Sequence, residues 1–231
     1  MRVAVVTGAS KGFGRAVAGA LGAEGWTLVI DARDADALAR AERELREATT
    51  VRAVPGDVAD PTHRRRLVAT AEGLGRLDLL VNNASTLGPS PLPALDAYPL
   101  DELAHVYQVN VIVPLGLIQL ARPLLAASNG AIVNVTSDAA VGPYEGWGGY
   151  GSSKAALEQL SNVLAAEQPD LGVYWFDPGD MRTEMHQAAF PGEDISDRPE
   201  PETVAPALLR LLAQRPPSGR YRAADLLAAT P

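Results

Sequence analysis

The chain has 231 residues, with 20 lysines and arginines, 28 aspartates and glutamates, and a formal net charge of −8. An acidic chain without a block of basic residues is a poor candidate for binding nucleic acid or an anionic membrane surface. Cysteine is absent and the three histidines show no metal-ligand spacing, so we expect no disulfide and no metal site. No apolar run approaches 18 residues, so we expect no membrane helix and a cytoplasmic protein.

Short apolar runs alternate with helical patterns along the first part of the chain. Gly25 is a typical helix stop, and Asp60-Pro61 form an N-cap followed by proline at the first helical position. The predicted strands are Val3–Thr7, Trp26–Asp31, Val51–Pro55 and Leu77–Asn82, and the predicted helices are Gly14–Glu24, Asp34–Glu47 and Asp60–Glu72.

The alternation continues to the end of the chain. The predicted helices are Leu100–Ala126, bent near Pro114, then Gly151–Glu167 and Thr203–Ala213, and the predicted strands are Ala131–Thr136, Val173–Phe176 and a short Arg220–Ala223. Strands and helices alternating in this way predict a parallel sheet with helices on both faces. No internal repeat divides the chain, so we expect one α/β domain over residues 1–231.

A glycine-rich segment separates the first strand from the first helix. It reads Thr7-Gly8-Ala9-Ser10-Lys11-Gly12-Phe13-Gly14. Its three glycines allow a tight turn and a close approach of the backbone to a pyrophosphate, and the helix that follows offers free N–H groups. The segment predicts a dinucleotide site; a plain strand-to-helix turn is the alternative.

The chain uses 18 arginines and only two lysines, Lys11 and Lys154. Tyr150 precedes Lys154 by four residues, so both side chains lie on one face of a helix. A phenol has a pKa of about 10, and a neighbouring ammonium group lowers that pKa by favouring the phenolate. The pair predicts a proton-transfer site. The alternative is a tyrosine packed on the sheet beside an exposed lysine.

The motifs of the chain, and their order along the sequence, resemble those of the short-chain dehydrogenase/reductase family, in its compact single-domain branch. The resemblance extends from about Val3 to Ala213. It departs at Ser85, where the family has glycine, and in the C-terminal segment from Leu226 to Pro231. The motifs that carry it are the glycine turn, Asp57-Val58, Asn82-Asn83-Ala84, Asn110, Ser137, Tyr150 with Lys154, and Pro178-Gly179.

The resemblance implies a doubly wound Rossmann fold and four catalytic residues. Tyr150 would exchange a proton with the carbonyl or alcohol oxygen, and Ser137, 13 residues earlier, would hydrogen-bond that oxygen. Lys154 would lower the pKa of Tyr150 and hold the nicotinamide ribose. Asn110 would bend the long helix and hold a water linked to Lys154; a core asparagine with satisfied partners is the alternative.

The family pattern also implies the residues that bind the cofactor. Asn82 would frame the adenosine-ribose side, Asp57 would meet the adenine or serve only as a turn residue, and Pro178-Gly179 with Thr183 would hold the carboxamide. The implied set is Gly8, Ser10, Lys11, Gly12, Phe13, Gly14, Arg33, Asp57, Val58, Asn82, Ala84, Tyr150, Lys154, Pro178, Gly179, Met181 and Thr183.

The choice between NADP and NAD depends on the end of the second strand. An acidic residue there would bind the ribose 2′-hydroxyl and repel a 2′-phosphate. Asp31 lies one residue before the family's acidic position, which is Ala32, and Arg33 follows. Lys11 adds a cation, so we expect NADP(H), with NAD(H) as the alternative.

The favoured function is an NADP-dependent oxidoreductase acting on a small to medium, apolar carbonyl or secondary alcohol. A non-catalytic NADP-binding regulatory protein is one alternative; it would be expected to lack Tyr150 or Lys154. A reductase of carrier-bound 3-oxoacyl groups is another. It would need a basic docking patch, and the only basic run is Arg64-Arg65-Arg66.

Residues 181–201 are expected to form a lid over the substrate. In this segment Met181, Met185 and Phe190, with Tyr144 and Trp147 opposite, are predicted to line an adaptable apolar pocket. The alternative is that these residues only pack the lid onto the body. Two helices carry more apolar surface than one sheet face covers, including Ile112 and Val163, so we expect a homodimer or a homotetramer.

Overall fold

The fold is built on one sheet of seven parallel strands, in the order β3-β2-β1-β4-β5-β6-β7. The computed structural model describes residues 1–228; residues 229–231, which complete the predicted domain and its divergent C-terminal segment, lie outside the described residues. The strands are Val3–Val6 (β1), Thr27–Ala32 (β2), Val51–Pro55 (β3), Leu79–Asn82 (β4), Ala131–Val135 (β5), Gly172–Asp177 (β6) and Gly219–Arg222 (β7).

Helices cover both faces of the sheet, which confirms the predicted doubly wound α/β fold. They are Gly12–Ala23 (α1), Ala35–Leu45 (α2), Pro61–Glu72 (α3), Leu100–Tyr107 (α4), Val113–Ala127 (α5), Gly148–Glu167 (α6), Glu184–Ala189 (α7), Pro201–Gln214 (α8) and Ala223–Ala228 (α9). Alternate residues of each strand enter two separate cores. Val6 and Ile30 pack toward α1 and α8, whereas Val5 and Val29 pack toward α3 and α5.

The direction of the chain across the sheet changes at β1. Successive strands first step from β1 to β2 and β3, and then continue on the other side of β1 with β4 to β7. In such sheets a crevice opens at the carboxyl ends of the strands where the order reverses. The turns that follow β1, β2, β4, β5 and β6 meet there.

The long predicted helix is interrupted one turn earlier than expected. Residues Gln108–Ile112 form a π-helical segment between α4 and α5, and Pro114 lies in the first turn of α5. In an α-helix the carbonyl of Asn110 would accept a hydrogen bond from residue 114, and proline has no N–H to donate. The irregular geometry therefore lies before the proline, around Asn110, rather than at Pro114.

Leu100–Ala127 is the one helical stretch, among residues 1–228, long and apolar enough to span a membrane by length and composition. Half of its most apolar window is buried within the fold. Val113, Leu117 and Leu125 belong to the core beneath the sheet. The helical stretch thus packs here as a core helix.

One helix boundary near the cleft differs from the prediction. Helix α6 begins at Gly148 rather than Gly151, so Tyr150 lies within its first turn. Paired glycines are poor helix formers, and packing outweighs that preference here because Gly149 lies directly against the Tyr98 ring. Helix α7 occupies the first part of the predicted lid, with the Thr183 hydroxyl accepting a hydrogen bond from the His186 amide.

Candidate active site

A cleft of about 650 Å³ lies at the carboxyl ends of the strands. One end, here called the glycine end, contains the glycine turn and Arg33; the other, the tyrosine end, contains Ser137, Tyr150 and Lys154. Most of the predicted site residues line it. They are Gly8, Ser10, Lys11, Gly12, Phe13, Arg33, Asp57, Val58, Ala84, Ser137, Trp147, Tyr150, Lys154, Pro178, Gly179, Met181, Thr183 and Met185.

The glycine turn has the backbone shape that a dinucleotide needs. Gly8 and Gly12 have φ angles of 65° and 56°, in the left-handed region that favours glycine. A Cβ atom at Gly14 would lie 2.5 Å from the Gly8 carbonyl oxygen, so only glycine allows α1 to start this close to the turn. The N-terminus of α1 faces the cleft and can accept a phosphate group. The residues present therefore fit a dinucleotide.

A buried contact between a carboxylate and an imidazole lies beneath the turn. The Asp31 carboxylate accepts a hydrogen bond from the Gly8 amide at 2.9 Å and contacts Nε2 of His63 at 3.0 Å. Burial raises the pKa of Asp31, partly offset by these bonds. Because this carboxylate is held below the turn, it is unavailable to a ribose 2′-hydroxyl. Arg33, in contrast, is exposed and lines the cleft.

Lys11 already has a partner across the cleft. Its ammonium group forms an ion pair with Glu184 at the start of α7, and both side chains are exposed. The pair joins the glycine turn to the predicted lid. A surface ion pair of this kind contributes at most about 1 kcal/mol. Lys11 thus remains able to exchange Glu184 for another anion.

Two residues of the predicted cofactor set have other contacts. Asn82 does not line the cleft; it is buried and its amide donates to Asn134 at 2.8 Å, because β4 and β5 pair in register at these residues. The following residue, Asn83, lines the cleft instead. Asp57 lines the cleft, and its carboxylate accepts a hydrogen bond from the Ala59 amide at 2.8 Å, the geometry of the alternative turn role.

At the tyrosine end, α6 places Tyr150 and Lys154 on one face. Lys154 is 2% exposed, and its ammonium nitrogen donates to the Val135 carbonyl at 2.9 Å and lies 5.4 Å from the Tyr150 ring centroid. Ser137 follows β5; its hydroxyl contacts Asp138 at 3.0 Å and accepts from the Ala139 amide at 3.1 Å.

The pKa of each member of the pair moves against its charged form. Burial raises the pKa of Tyr150, and the charges of Asp177 and Asp138 raise it further, while a hydrogen bond with Ser85 lowers it. Burial lowers the pKa of Lys154 to about 7. Burial is the largest cause of both shifts, and the lowering of the Tyr150 pKa by Lys154 stays a prediction.

Asn110 lies behind the cleft rather than on its wall. Its amide oxygen accepts from the Ser85 hydroxyl and the Thr86 amide, and its amide nitrogen donates to the Thr86 carbonyl and to the Ser153 hydroxyl, all at 2.9–3.0 Å. All positions of this buried amide are therefore satisfied. The side chain ties the loop after β4 to α6, the helix of Tyr150.

Aromatic side chains cover the substrate side of the tyrosine end. Trp147 packs edge-on against Tyr150 and, at a tilt, against Phe190 of the predicted lid, each at 5.8 Å between ring centroids. The Phe190 ring in turn lies 4.8 Å from that of His186. Tyr144 is not part of this wall, contrary to the prediction. Its ring is half exposed and its hydroxyl contacts Asp138 at 3.0 Å, because Gly146 turns the chain between Tyr144 and Trp147.

Sequence reasoning missed three features of the cleft. Ser85 was noted only as a departure from a motif, yet its hydroxyl contacts Asn110. The Asp31–His63 pair joins residues 32 apart, and no local pattern marks it. Asn83 lies directly beside the predicted Asn82. Neighbouring residues of a strand point to opposite sides, so the apolar run that ends at Asn82 could have indicated that the next side chain reaches the cleft.

A family model described as short chain dehydrogenase matches residues 2–194. The chain therefore belongs to the short-chain dehydrogenase/reductase family, which confirms the resemblance seen in its motifs.

The relatives of the chain include several reductases. A sepiapterin reductase from Meriones unguiculatus is 36% identical over 202 residues, covering 81% of this chain and 77% of that protein. A 3-oxoacyl-acyl-carrier-protein reductase of rhamnolipid biosynthesis from Pseudomonas aeruginosa is 39% identical over 173 residues, covering 72% of this chain and 66% of that protein. A solved short chain dehydrogenase from Shigella flexneri, complexed with NADP, matches with a TM-score of 0.90 and 30% identity, covering 96% of this chain and 97% of that chain.

Proposed function

We propose that this chain is an NADP-dependent oxidoreductase that interconverts a carbonyl compound and a secondary alcohol. The observation that carries the proposal is a single cleft with the glycine turn and Arg33 at one end and Ser137, Tyr150 and Lys154 at the other. NADP, when bound, supplies or accepts the hydride at its nicotinamide ring. Tyr150 and Lys154 are both present, which argues against a non-catalytic regulator.

NADP is proposed over NAD because of the charges at the glycine end. Arg33 is exposed beside the cleft, and its planar guanidinium suits a phosphate group. Asp31, the acidic residue nearest the end of β2, is turned beneath the glycine turn toward Gly8 and His63. The solved relative from Shigella flexneri, complexed with NADP, also supports this choice.

Tyr150 is proposed to exchange the proton. In carbonyl reduction its phenol donates a proton to the substrate oxygen, and the raised pKa of Tyr150 keeps that proton in place at neutral pH. The Ser137 hydroxyl exchanges its contact with Asp138 for the same oxygen and stabilises the developing negative charge. Lys154 holds the ribose of the nicotinamide, and Asn110 positions the loop that contains Ser85.

The proposed substrate is a small to medium apolar carbonyl compound. Trp147 and Met185 line the cleft, Phe190 packs against Trp147, and residues 181–201 act as the lid. Around them lie carboxylates of the lid and of its anchoring residues, among them Asp180, Glu184 and Glu200. Each of these carboxylates is paired with a cation, Glu184 with Lys11, Glu200 with Arg182 and Asp180 with Arg198, so the proposed apolar preference rests on the aromatic side of the cleft.

The similarity to a 3-oxoacyl-acyl-carrier-protein reductase does not lead us to propose that activity for this chain. A carrier protein is acidic and needs a basic docking surface. Arg64, the first residue of the only basic run, is 9% exposed and donates to the backbone carbonyls of Val58 and Ala59. The remaining Arg65 and Arg66 do not line the cleft.

We also propose that the protein is a cytoplasmic homodimer or homotetramer. Val111, Ile118 and Leu157, part of the apolar surface predicted to be in excess, are buried within the subunit. Ile112 and Val163 remain 49% and 43% exposed on α4–α5 and α6. Light scattering at micromolar concentration measures the state directly, and a monomer would contradict the proposal.

The function is tested by mixing the protein with NADPH or NADH and aryl ketones of increasing size, starting from acetophenone, and following absorbance of the reduced cofactor. We expect turnover with NADPH and a higher kcat/KM than with NADH. Met185→Ala and Trp147→Ala should alter the ranking of ketones by size while leaving the Kd for NADPH nearly constant. No oxidation of either cofactor with any ketone would contradict the proposal.

A further inference from the structure

A cluster of buried charges lies next to the tyrosine end of the cleft, at the ends of β5, β6 and β7. Arg220 of β7 donates through Nε to Glu158 at 2.9 Å and through Nη2 to Asp177 at 2.9 Å. The same Nη2 also donates to the backbone carbonyl of Ser137 at 3.2 Å. One guanidinium thus contacts a helix residue, a strand end and the loop of the proposed catalytic serine.

Each side chain that Arg220 contacts is linked, through the helix or through a hydrogen bond, to a proposed site residue or its neighbour. Glu158 follows Lys154 by four residues, on the face of α6 that also carries Tyr150. Its carboxylate also accepts from the Thr136 hydroxyl at 2.7 Å, immediately before Ser137.

Asp177 provides the link to the loop after β6. Its second carboxylate oxygen accepts from the Gly179 amide at 3.0 Å, which fixes the Pro178-Gly179 turn. The Arg220 guanidinium therefore joins the turn proposed for the carboxamide to the loop that contains Ser137.

A purely stabilising role is a poor explanation for this cluster. The Asp177 and Glu158 side chains are 6% and 13% exposed, and burying charges costs free energy that their pairing only partly returns. Arg222, two residues along β7, is 57% exposed and its carboxylate contact, to Asp225, is a longer 3.7 Å. The same strand thus provides a matched arginine outside the cluster.

We infer that Arg220 is a positioning residue of the proposed reaction: it holds the Ser137 loop and the Pro178-Gly179 turn at a fixed separation and compensates the charge of Asp177 near Tyr150. The inference rests on the proposed function. Lysine cannot replace Arg220, because a single ammonium group cannot reach three acceptors in a fork arrangement.

Asp177 connects the cluster to the proton-transfer group. Its charge raises the pKa of Tyr150, as does that of Asp138, whereas Ser85 lowers it and Lys154 lies beside the ring. Removal of Arg220 leaves the Asp177 charge without its partner, so the pKa of Tyr150 rises further. Oxidation of an alcohol needs the Tyr150 phenolate, so its rate should then require a higher pH.

The test compares Arg220→Gln, Arg220→Lys and the double variant Arg220→Gln/Asp177→Asn with Arg222→Gln as the control. The measurements are Tm, the Kd for NADPH from tryptophan fluorescence, kcat and KM for acetophenone reduction, and the pH profile of 1-phenylethanol oxidation with NADP.

For Arg220→Gln we expect kcat to fall about 10- to 100-fold, as for other misplaced catalytic groups, with KM changed less. The midpoint of the oxidation profile should move up by about one pH unit, and Asp177→Asn in the same chain should move it back. The Kd for NADPH should rise a few-fold, because the Pro178-Gly179 turn loses its anchor. Arg222→Gln should match the wild type in all four measurements.

The inference is overturned if Arg220→Gln folds and has the same kcat and pH midpoint as Arg222→Gln. In that case the proposed function still stands, provided that the wild-type protein turns over the ketone. If Arg220→Gln does not fold, Arg220→Lys decides by the same criteria. If the wild type does not oxidise NADPH with any of the ketones, that result contradicts the proposed function itself, and this inference with it.

Discussion

At the glycine end of the cleft Arg33 and Lys11 are exposed to solvent, whereas at the tyrosine end Lys154 is 2% exposed and surrounded by protein. Both exposed side chains line the cleft, where a ligand can reach them. The buried lysine loses hydration, and its pKa falls to about 7. Cations at one end are therefore suited to recognising an anion, and the cation at the other end to chemistry that depends on protonation.

The largest effect expected from this difference is at Tyr150. Tyr150→Phe keeps the ring against Trp147 and removes only the hydroxyl, so kcat for ketone reduction should fall about 10²- to 10⁴-fold. The Kd for NADPH, measured by fluorescence titration, should change little. Turnover close to that of the wild type would remove Tyr150 from the proposed mechanism.

Lys154→Met should separate activity from stability. Turnover should be lost. The free energy of unfolding at pH 7 should rise by about 2 to 4 kcal/mol, because one unit of pKa shift corresponds to about 1.4 kcal/mol. The Val135 carbonyl, which loses its hydrogen-bond donor, offsets part of this gain.

The pH dependence of this gain has a definite sign. The folded pKa of Lys154, about 7, is lower than the model value of 10.5, so between these values the unfolded chain binds the additional proton. The stability advantage of Lys154→Met should be largest below pH 7 and disappear as the pH rises toward 10.5. Urea unfolding at pH 6, 8 and 10 measures it, and an advantage that grows with pH would contradict the assignment.

At the glycine end, Arg33→Ala should affect recognition alone. We expect the Kd for NADPH to rise about 10- to 100-fold, the loss typical of a charged hydrogen bond, with the Kd for NADH and the Tm nearly unchanged. Arg40→Ala, an exposed arginine of α2 outside the cleft lining, is the matched control. Equal weakening of both cofactors would show that Arg33 does not contact the 2′-phosphate.

The smallest expected effect is at Ser85. Ser85→Gly restores the family's residue and removes a hydroxyl that lowers the pKa of Tyr150. The pH midpoint of alcohol oxidation should rise by a few tenths of a unit, and kcat at pH 7 should change about two- to three-fold. A midpoint that falls in Ser85→Gly would contradict the assigned hydrogen bond.

The fold was predictable because β1, β2, β4 and β5 are buried along their whole length and so leave short apolar runs in the sequence. Val51–Pro55 was predicted with the boundaries that the structure shows, and the helix predicted over Asp60–Glu72 begins one residue later, at Pro61, because Asp60 is its N-cap. The interruption near Asn110 was displaced by a turn, because the proline acts on the carbonyl four residues before it.

The candidate site was predictable where its residues share one motif. Tyr150 and Lys154 are four residues apart on α6, and the glycines of the turn all lie between residues 8 and 14. Arg220 contacts residues 43, 62 and 83 positions away, so only the arrangement of β5, β6 and β7 brings them together. The desolvation that sets the pKa of Lys154 likewise depends on the packed structure.

The π-helical segment has a consequence for which substitutions the chain tolerates. Pro114 lacks the amide hydrogen with which any other residue there would offer the Asn110 carbonyl an α-helical partner. A restored hydrogen would favour a regular helical turn and rotate the Asn110 amide away from Thr86 and Ser153. Position 114 therefore limits sequence variation in the cleft without itself contacting any ligand.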